Sequence, residues 1–361
     1  MNNMLISEVL ERLICKNVAD YDLVQKLVDN KKPLVIKLGF DPTAPDLHFG
    51  HAIPLSVLSL CQKLGHIIIG DFTAQIGDPT GKNTTRPPLS AEIIKENAAT
   101  YISQLEKFLD ISKTKVSFNS EWLNELGTAG IIKLSSHITV ARMLERDDFG
   151  NRFKNQVGIS LHEFLYPLLQ GYDSVAIKAD IELGGTDQEF NLHMGRNLQK
   201  DFGQAQQALV MTPILEGLDG KNKMSKSLNN YIAVTETPSN MFGKVMSIGD
   251  DMILKYFKML TFLSNADIKT LESRLSSGEN PMTLKFELAE SILSRFYDCD
   301  EALRQKNAFV DRFRNKSIDV DNLEIKHICS GLKLSQILKN VGFAPSTTQA
   351  MKLIQAGGVY I

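Results

Sequence analysis

The fold of this chain is decided by the stretch Lys37-Leu38-Gly39-Phe40-Asp41-Pro42-Thr43-Ala44-Pro45-Asp46-Leu47-His48-Phe49-Gly50-His51. A short, apolar, β-branched run over 33–36 comes before it and predicts a buried strand that Gly39 ends. The two prolines prevent a helix through the loop, and apolar residues at helical spacing then run from Gly50 to Gly65. A second strand is predicted over 66–71. This strand, loop, helix and strand form a βαβ unit, which binds ligands where its parallel strands end.

Two histidines, His48 and His51, fall at the predicted N-terminus of that helix, beyond the end of the first strand. Free N–H groups and the helix dipole favour anions at such a position. Gly50 leaves room for a phosphate or a ribose to approach the backbone. Two solvated histidines, or half of a metal site, are alternatives that this motif alone leaves open.

A second motif, Lys223-Met224-Ser225-Lys226-Ser227, lies far along the chain. The pair of motifs resembles the signature of the class I aminoacyl-tRNA synthetases, and only Phe49 departs from the usual form of the first. The run from Gly39 to Ala44 narrows the resemblance to the bacterial tyrosyl-tRNA synthetases, and it extends through nearly the whole chain. This family implies an α/β fold with a Rossmann-like nucleotide-binding domain and a parallel sheet. It also implies activation of L-tyrosine with ATP, followed by transfer of tyrosine to tRNA(Tyr).

Length and composition limit the number of domains and the kinds of partner that the chain can have. With 361 residues and 43% hydrophobic composition, the chain can bury at least one full-size core and is expected to form about two domains. A net charge of -2 means that any RNA contact must come from local patches. No apolar segment approaches the ~18 residues of a membrane span, and the first residues do not resemble a signal peptide. We therefore expect a cytoplasmic protein with no membrane partner.

The cysteines point to the same compartment. None of them forms a Cys-x-x-Cys pair, which argues against a zinc site or a disulfide framework, and reduced thiols are the default for Cys15, Cys61, Cys299 and Cys329.

A loop rich in Gly, Pro and Thr over 73–88 nearly matches a phosphate-binding Walker A loop, but Ile76 and Asn83 depart from that pattern. An exposed polar loop, or a nucleotidase that transfers phosphate with this loop, are the alternatives. The family resemblance assigns Lys82 and Arg86 to a mobile loop that closes over pyrophosphate.

Helical patterns recur between Trp122 and Gln170. In the family this position holds a connective insertion that supplies the dimer interface and contacts the tRNA acceptor end, so a homodimer is expected. A single helix over 139–149 would place Arg142 and Arg146 on one face, where pairing with nearby acids and RNA contact are competing roles.

Helical spacing places Tyr166, Gln170 and Asp173 on one face of a further helix, and a strand is predicted directly afterwards over 174–177. Such a polar row in an apolar stretch is costly unless a ligand or the residues themselves satisfy it, although a wet helix face is the alternative. The resemblance implies that Tyr166 and Gln170 hold the substrate ammonium and that Asp173 accepts from the phenol. It adds to the tyrosine site Lys37, Asp41, Asp78 and Gln188.

Glycines followed by an acid at a helix start suit a ribose, as in other nucleotide folds. A lysine-rich loop bordered by glycines can swing and follow developing phosphate charge. The resemblance therefore implies an ATP site containing Gly50, Gly185, Asp187, Lys226 and Ser227. No nucleophile is paired with a base, so catalysis is expected to rest on positioning and charge from Thr43, His48, His51, Lys82, Arg86, Lys223 and Lys226. Mg²⁺ would arrive with ATP, and no protein-bound metal is expected.

The domain organisation follows from the same patterns. Residues 1–234 are predicted to form the catalytic domain, with the insertion at about 122–170. Residues 235–315 form a helical domain whose family counterpart binds the anticodon region, and 316–330 form a linker. The tail over 331–361 resembles the start of an S4-type RNA-binding module.

The tail carries three lysines and no acid, but Met351 and Lys352 stand where S4 modules often have arginines. The sequence stops before the usual closing strands of the module, so a truncated copy is expected. A non-catalytic RNA-binding protein on the synthetase fold is a further alternative, which the intact His48, Lys82 and Lys226 disfavour.

One departure from the family concerns recognition of the phenol. Lys37 stands where many bacterial relatives have a tyrosine that binds the substrate hydroxyl. A lysine is more suited to pairing with a neighbouring acid, so recognition of the hydroxyl is expected to rest mainly on Asp173.

Overall fold

A computed structural model describes residues 3–15, 34–60, 65–80, 89–314, 331–355 and 359. Lys82, Arg86 and the predicted linker over 316–330 lie outside this range. The chain divides into two compact units, Met1–Asn307 and Ala308–Ile361.

The first unit is built on a parallel sheet whose five strands are β1 (Ile36–Phe40), β2 (Gly65–Ile69), β3 (Lys115–Phe118), β4 (Ile181–Gly185) and β5 (Ala208–Thr212). Their spatial order is β3-β2-β1-β4-β5, and every neighbouring pair is parallel. The predicted α/β class with a parallel sheet is thereby confirmed. Because the chain leaves β1 toward β2 and later returns to its other side as β4, the strand order reverses at β1. A crevice at the carboxyl ends of the strands is expected at such a point.

The helices of the first unit are α1 (Asn3–Leu13), α2 (Phe49–Leu60), α3 (Ala91–Leu105), α4 (Ser120–Ser135), α5 (Val140–Met143), α6 (Asp147–Lys154), α7 (Leu161–Ile177), α8 (Glu189–Asp201), α9 (Pro238–Met246), α10 (Ile253–Leu260), α11 (Asn265–Ser276) and α12 (Pro281–Phe296). Helix α13 (Cys299–Arg314) runs across the division between the units. Short 3-10 turns occupy Thr73–Gln75, Ile111–Lys113, Thr186–Gln188 and Asp250–Met252.

Local sequence accounts for several helix ends. The side chain of Ser90 accepts a hydrogen bond from the amide of Ile93 and caps α3. Ser160 and Glu163 form a capping box at the start of α7. The far end of α7 is set by Lys178, which adopts the left-handed conformation with φ 53°.

The predicted strand over 174–177 is wrong, because α7 continues through these residues and the strand begins only at Ile181. A short apolar run fits a buried helix as well as a buried strand, and periodicity alone does not distinguish them. Tyr166, Gln170 and Asp173 do share this helix, as their spacing predicted.

The single helix predicted over 139–149 is also wrong. Helix α5 ends at Met143, and α6 begins at Asp147 with two acids in its first turn, a strong helix start. Arg146 lies between them with an extended backbone (φ -68°, ψ 128°). Arg142 is exposed and pairs with Glu145, whereas Arg146 turns into the protein, so the two arginines do not share a face.

The helices after residue 235 pack on α2, the helix that carries the first signature motif. Phe49, which departs from the usual motif, is fully buried and stacks on Phe296 of α12 with ring centroids 5.5 Å apart. Arg295 donates to Oγ of Ser56 at 2.8 Å and to the carbonyl of Leu260 at 2.6 Å. An aromatic residue at position 49 is therefore explained by packing against the following helical region.

The second unit contains α14 (Leu334–Asn340) and α15 (Thr347–Gln355), which pack around a small core of Leu338, Ala344 and Ala350. Across the described ranges, no helix combines the length and the apolar character that a membrane span requires.

Candidate active site

A cleft of about 570 Å³ opens beyond the carboxyl ends of β1 and β4. Its walls bring together every predicted site residue that the structure describes, namely Lys37, Asp41, Thr43, His48, Gly50, His51, Asp78, Tyr166, Gln170, Asp173, Gly185, Asp187, Gln188, Lys223, Lys226 and Ser227. The two remaining predicted residues, Lys82 and Arg86, lie outside the described range.

Lys37 forms part of the cleft wall, but its ammonium is fully occupied. Its Nζ lies 2.8 Å from Oε1 of Glu182, 2.8 Å from the carbonyl of Gln170 and 2.8 Å from Oγ of Ser174. A lysine ammonium has three N–H donors, and here all three have partners. Lys37 therefore joins β1 to β4 and α7 and keeps no donor for a ligand.

Sequence reasoning missed Glu182, the acid that pairs with Lys37. It is buried, and its second oxygen, Oε2, accepts from Ser174 at 3.1 Å and from Gln207. The sequence did offer one sign of this pair: Glu182 is a carboxylate within an otherwise apolar strand, and a buried acid requires a partner.

Two side chains orient Asp173: Asn119, which precedes the helical insertion, and Trp122, which lies at its start. Its Oδ1 accepts from Nε1 of Trp122 at 2.8 Å, and its Oδ2 accepts from Nδ2 of Asn119 at 3.3 Å. Burial raises the pKa of Asp173 to about 7, although Lys37 and these two donors oppose the rise. Neither Trp122 nor Asn119 was predicted, because nothing local to them indicates a carboxylate 51 and 54 residues later in the chain.

Asp41 follows β1 and receives hydrogen bonds on both oxygens, from Thr73 at 2.7 Å and from the hydroxyl of Tyr166 at 2.8 Å. Burial raises the pKa of Asp41 to about 7, with a further contribution from the nearby carboxylates. Gly70 makes this arrangement possible, because a Cβ there would lie 2.0 Å from Oδ1 of Asp41. Beside this group, Oε1 of Gln170 is buried and has no hydrogen-bond partner among the described residues.

The two signature histidines are neutral and share one tautomer. The Nδ1 of His48 accepts from the amide of Gly50, and the Nδ1 of His51 accepts from the amide of His48, each at 3.1 Å. Burial lowers the pKa of His48 to about 3, with help from Lys226 and Lys223, and burial also lowers the pKa of His51. A neutral imidazole that accepts at Nδ1 carries its proton on Nε2. Both rings are therefore Nε2–H donors.

The Lys-Met-Ser-Lys-Ser loop reaches across the cleft. Lys223 pairs with Asp187, which follows β4, and Nζ of Lys226 lies 3.2 Å from the carbonyl of Ala44. Buried Asn230 fixes this loop, because its side-chain oxygen accepts a hydrogen bond from the amide of Ser225 at 2.8 Å. The two lysines are thereby brought to the loop that carries the first motif.

The charges divide the cleft by chemistry. Three interacting carboxylates, Asp41, Asp78 and Asp173, form an acidic part that suits an ammonium group. Lys223 and Lys226 lie near enough to the two histidines to lower their pKa values, and they form a basic part that suits phosphates. One cleft therefore combines the features of an amino-acid site and a nucleotide site.

Residues 29–314 match the family model described as tRNA synthetases class I (W and Y). The chain belongs to this class I family. Within it, the chain is similar to tyrosine–tRNA ligases over nearly its whole length. The ligase of Haemophilus influenzae is 49% identical over 362 residues, covering 99% of this chain and 90% of that protein. The ligase of Shewanella oneidensis is 51% identical over 342 residues, covering 94% and 86%.

Solved structures share the fold. A C-terminally truncated mitochondrial tyrosyl-tRNA synthetase from Aspergillus nidulans superposes with a TM-score of 0.68 at 23% identity, covering 85% of this chain and 94% of that one. The tyrosyl-tRNA synthetase of Archaeoglobus fulgidus, in complex with L-tyrosine, superposes with a TM-score of 0.66 at 22% identity, covering 83% and 99%. The family membership and the fold thus agree with the resemblance first carried by the two motifs.

The neutral Nε2–H state of the histidines can be tested by NMR. We expect long-range ¹⁵N–¹H spectra to show His48 as the neutral Nε2–H tautomer throughout pH 5–8, because burial and two lysines depress its pKa. A free histidine has a pKa near 6.5 and protonates in this range. Since the unfolded chain takes up this proton and the folded chain does not, His48 should also make the fold less stable as pH falls below about 6.5. His48→Gln assigns the resonance, and a His48 signal that titrates near pH 6.5 contradicts the assignment.

Proposed function

We propose that this protein is a tyrosine–tRNA ligase. It activates L-tyrosine with ATP to enzyme-bound tyrosyl-adenylate, releasing diphosphate, and then transfers tyrosine to the 3′ end of tRNA(Tyr), releasing AMP. The observation that carries this proposal is the cleft itself, which joins a buried acidic part to two Nε2–H histidines and two loop lysines. Full-length similarity to tyrosine–tRNA ligases supports the choice of tyrosine.

In this proposal tyrosine occupies the acidic part. Its phenol donates to Asp173, whose carboxylate is already oriented by Trp122 and Asn119. Its ammonium donates to Oε1 of Gln170, a buried acceptor with no partner among the described residues. Tyr166 completes that end of the pocket. Lys37 stabilises the site through Glu182 rather than by contact with the phenol.

ATP occupies the basic part. Thr43 and the Nε2–H groups of His48 and His51 face its phosphates, and Gly50 keeps the backbone accessible. Asp187 pairs with Lys223 through Oδ2, and a Cβ at Gly185 would lie 2.4 Å from its other oxygen, Oδ1, so this glycine leaves room for Oδ1 to meet the ribose. Ser227 lies on the same loop as the two lysines.

The chemistry requires no enzyme nucleophile, because the tyrosine carboxylate itself attacks the α-phosphate. The protein holds the two groups in line and stabilises the charge that passes to the departing diphosphate. We assign that stabilisation to Lys223 and Lys226, joined by Lys82 and Arg86. Mg²⁺ would enter as the complex with ATP. Among the described residues, no three His, Cys, Asp or Glu side chains group together as a metal site.

We further propose a cytoplasmic homodimer. Large apolar side chains are exposed within the helical insertion, among them Ile132, Val140, Phe153 and Leu161. Such side chains are typical of an interface that a second copy covers. Light scattering at micromolar concentration should give twice the 40.2 kDa of one chain, and a fully active monomer would contradict the proposal.

The remaining regions are assigned to tRNA. We propose that the helical region over 235–315 binds the anticodon region and that the tail over 331–361 acts as an S4-like module. Lys333, Lys339 and Lys352 of the tail are all exposed, which supports a contact with phosphates.

Pyrophosphate exchange into ATP, measured with each of the 20 amino acids, tests the function directly. We expect exchange with tyrosine and no comparable exchange with the others. Hydrolysis of ATP without any exchange would favour a nucleotidase, and the absence of both activities would favour a non-catalytic RNA-binding protein. Charging of tRNA(Tyr) with labelled tyrosine then tests the second step.

Lys226→Ala should slow formation of tyrosyl-adenylate by about 100-fold or more, since one stabilising donor in a transition state contributes roughly 3 kcal/mol. Tyrosine affinity should change little, because the charge that Lys226 meets appears only during the reaction. Lys82→Ala is expected to behave in the same way. The measurements are the single-turnover rate and the tyrosine Kd.

Lys221→Ala is the matched control, since Lys221 is exposed on the same loop and does not line the cleft. It should leave the rate near that of the wild type. Equal losses in tyrosine binding and in rate for Lys226→Ala would count against its assigned role.

Asp173→Ala should remove most of the preference for tyrosine over phenylalanine. A site whose buried polar groups pair with a substrate hydroxyl rejects the analogue without it by about 10⁴–10⁵, a range known from this enzyme family itself. Lys37 should matter much less, because its donors are occupied. The measurement is the ratio of kcat/KM for the two amino acids.

Removal of Lys37 alone would leave Glu182 buried and unpaired, at a cost of about 3–5 kcal/mol. The comparison therefore uses the double variant Lys37→Met/Glu182→Gln, which replaces the pair by neutral groups of similar size. We expect it to retain most of the preference. If this variant loses the preference and Asp173→Ala keeps it, the placement of the phenol is wrong.

A further inference from the structure

Arg146 is a buried cation at the edge of the cleft to which neither motif nor spacing assigned a place in the site. It lies between α5 and α6, and only 6% of its surface is exposed. Arg142, four residues earlier, is exposed and pairs with Glu145 alone among the contacts described for its side chain. The same short segment thus provides one arginine for the solvent and one for the interior.

Every nitrogen of the Arg146 guanidinium donates to an oxygen. Its Nε lies 2.8 Å from Oδ1 of Asp148, and one terminal nitrogen, Nη1, lies 2.9 Å from Oδ1 of Asn191. The other, Nη2, lies 3.3 Å from Oδ1 of Asp78 and 2.5 Å from Oγ1 of Thr80. Two of these partners, Asp78 and Thr80, line the cleft, whereas Arg146 itself does not.

Because an arginine can only donate, it fixes the direction of the hydrogen bonds that follow. Asn191 must turn its carbonyl oxygen toward Arg146, so its amide group donates to Oε1 of Gln188 at 2.9 Å. Gln188 is then left with its own amide group, which donates to Oδ2 of Asp78 at 2.7 Å. The circuit closes at Asp78, whose other oxygen faces Arg146. We call this circuit of Arg146, Asn191, Gln188 and Asp78 the Arg146 network.

The network also supports the charge of Asp78. Burial alone would raise the pKa of Asp78, but Arg146 and the hydrogen bonds from Thr80 and Gln188 outweigh burial and lower it below its ordinary value. Asp41 and Asp173, elsewhere in the same acidic part, have pKa values raised to about 7 instead. Asp78 is therefore the carboxylate of this part that is most firmly ionised.

Among the described residues, Arg146 is the cation with a leading effect on Asp78. The titratable groups that face it from other elements are Asp41 after β1, Tyr166 on α7 and Asp148 on α6. None of these three groups carries a positive charge. The two acids repel a negative charge on Asp78, and the neutral phenol does not compensate it.

We propose that Arg146 is a positioning residue for the amino-acid site: it holds Asp78 as an anion toward the α-ammonium of the substrate and fixes Gln188 so that its amide group donates to Asp78. The identity of the substrate rests on the proposed function, whereas the Arg146 network rests only on the hydrogen bonds described above. Arg146 acts through Asp78 and Gln188 and makes no contact with the substrate.

The first test measures Asp78 in the free enzyme and needs no activity. With ¹³C-labelled aspartate, and Asp78→Asn to assign the signal, the carboxyl should titrate below 3.8 in the wild type. In Arg146→Met we expect its pKa to rise by about one to three pH units, the usual effect of one opposite charge at this distance. Arg142→Met, the matched control, should leave it unchanged. An unchanged Asp78 in Arg146→Met overturns the inference.

The second test is kinetic and uses the full-length enzyme. Arg146→Met should raise the KM for tyrosine by about tenfold or more, as expected for a lost charge-assisted hydrogen bond, while kcat and the KM for ATP change by less than about threefold. The acid limb of kcat/KM for tyrosine should move to higher pH. A purely structural role would lower the concentration of active sites without changing KM or the pH profile, and that result overturns the proposal.

Arg146→Lys provides a second variant in case the methionine variant fails to fold. It keeps the positive charge, so Asp78 should stay ionised. A lysine cannot hold Asn191 and Asp78 in one plane, so the KM for tyrosine should still rise. Wild-type values of KM in Arg146→Lys would overturn the claim that Arg146 orients Gln188. If the wild-type enzyme shows no tyrosine-dependent exchange, the proposed function fails, whereas the titration of Asp78 still decides this inference.

Discussion

Strand β1 pairs in parallel with β2 on one side and with β4 on the other, and the position of every group in the site depends on this double pairing. The registers align the carboxyl ends of the three strands at one edge of the sheet. Asp41 leaves β1 there, Gly70 and Thr73 follow β2, and Asp187 follows β4. Residues far apart in the chain therefore meet because three backbones end together, which is the general reason that ligands bind at such a point.

The site is costly to build because it buries charge. Lys37 and Glu182 form a buried cation–anion pair, and buried Arg146 pairs with the partly exposed Asp78; such pairs contribute little net stability once desolvation is counted. Their contribution lies in orientation. Lys37 uses its three N–H donors to join β1, β4 and α7. Arg146 sets the direction of the hydrogen bonds that Asn191 and Gln188 make. Asp173, whose two hydrogen-bond donors are neutral, instead has its pKa raised to about 7 by burial.

Segments outside the sheet complete the cleft. Trp122 and Arg146 come from the helical insertion, and they hold Asp173 and Asp78 respectively. Phe296 from the later helices stacks on Phe49, beside the first signature histidine. The insertion and the C-terminal helices thus supply buried contacts that fix residues in and beside the cleft.

Sequence alone determined the βαβ unit, the helical row of Tyr166, Gln170 and Asp173, and the two signature motifs, because periodicity, prolines and glycines act locally. It misplaced the strand at 174–177 and joined α5 to α6, since short apolar runs and mixed charges fit more than one local structure. Tertiary structure decided which buried charge meets which partner. Glu182 faces Lys37, and Arg146 faces Asp78, only because the fold brings them together. Desolvation makes a partner necessary, but no local pattern in the sequence states which residue it will be.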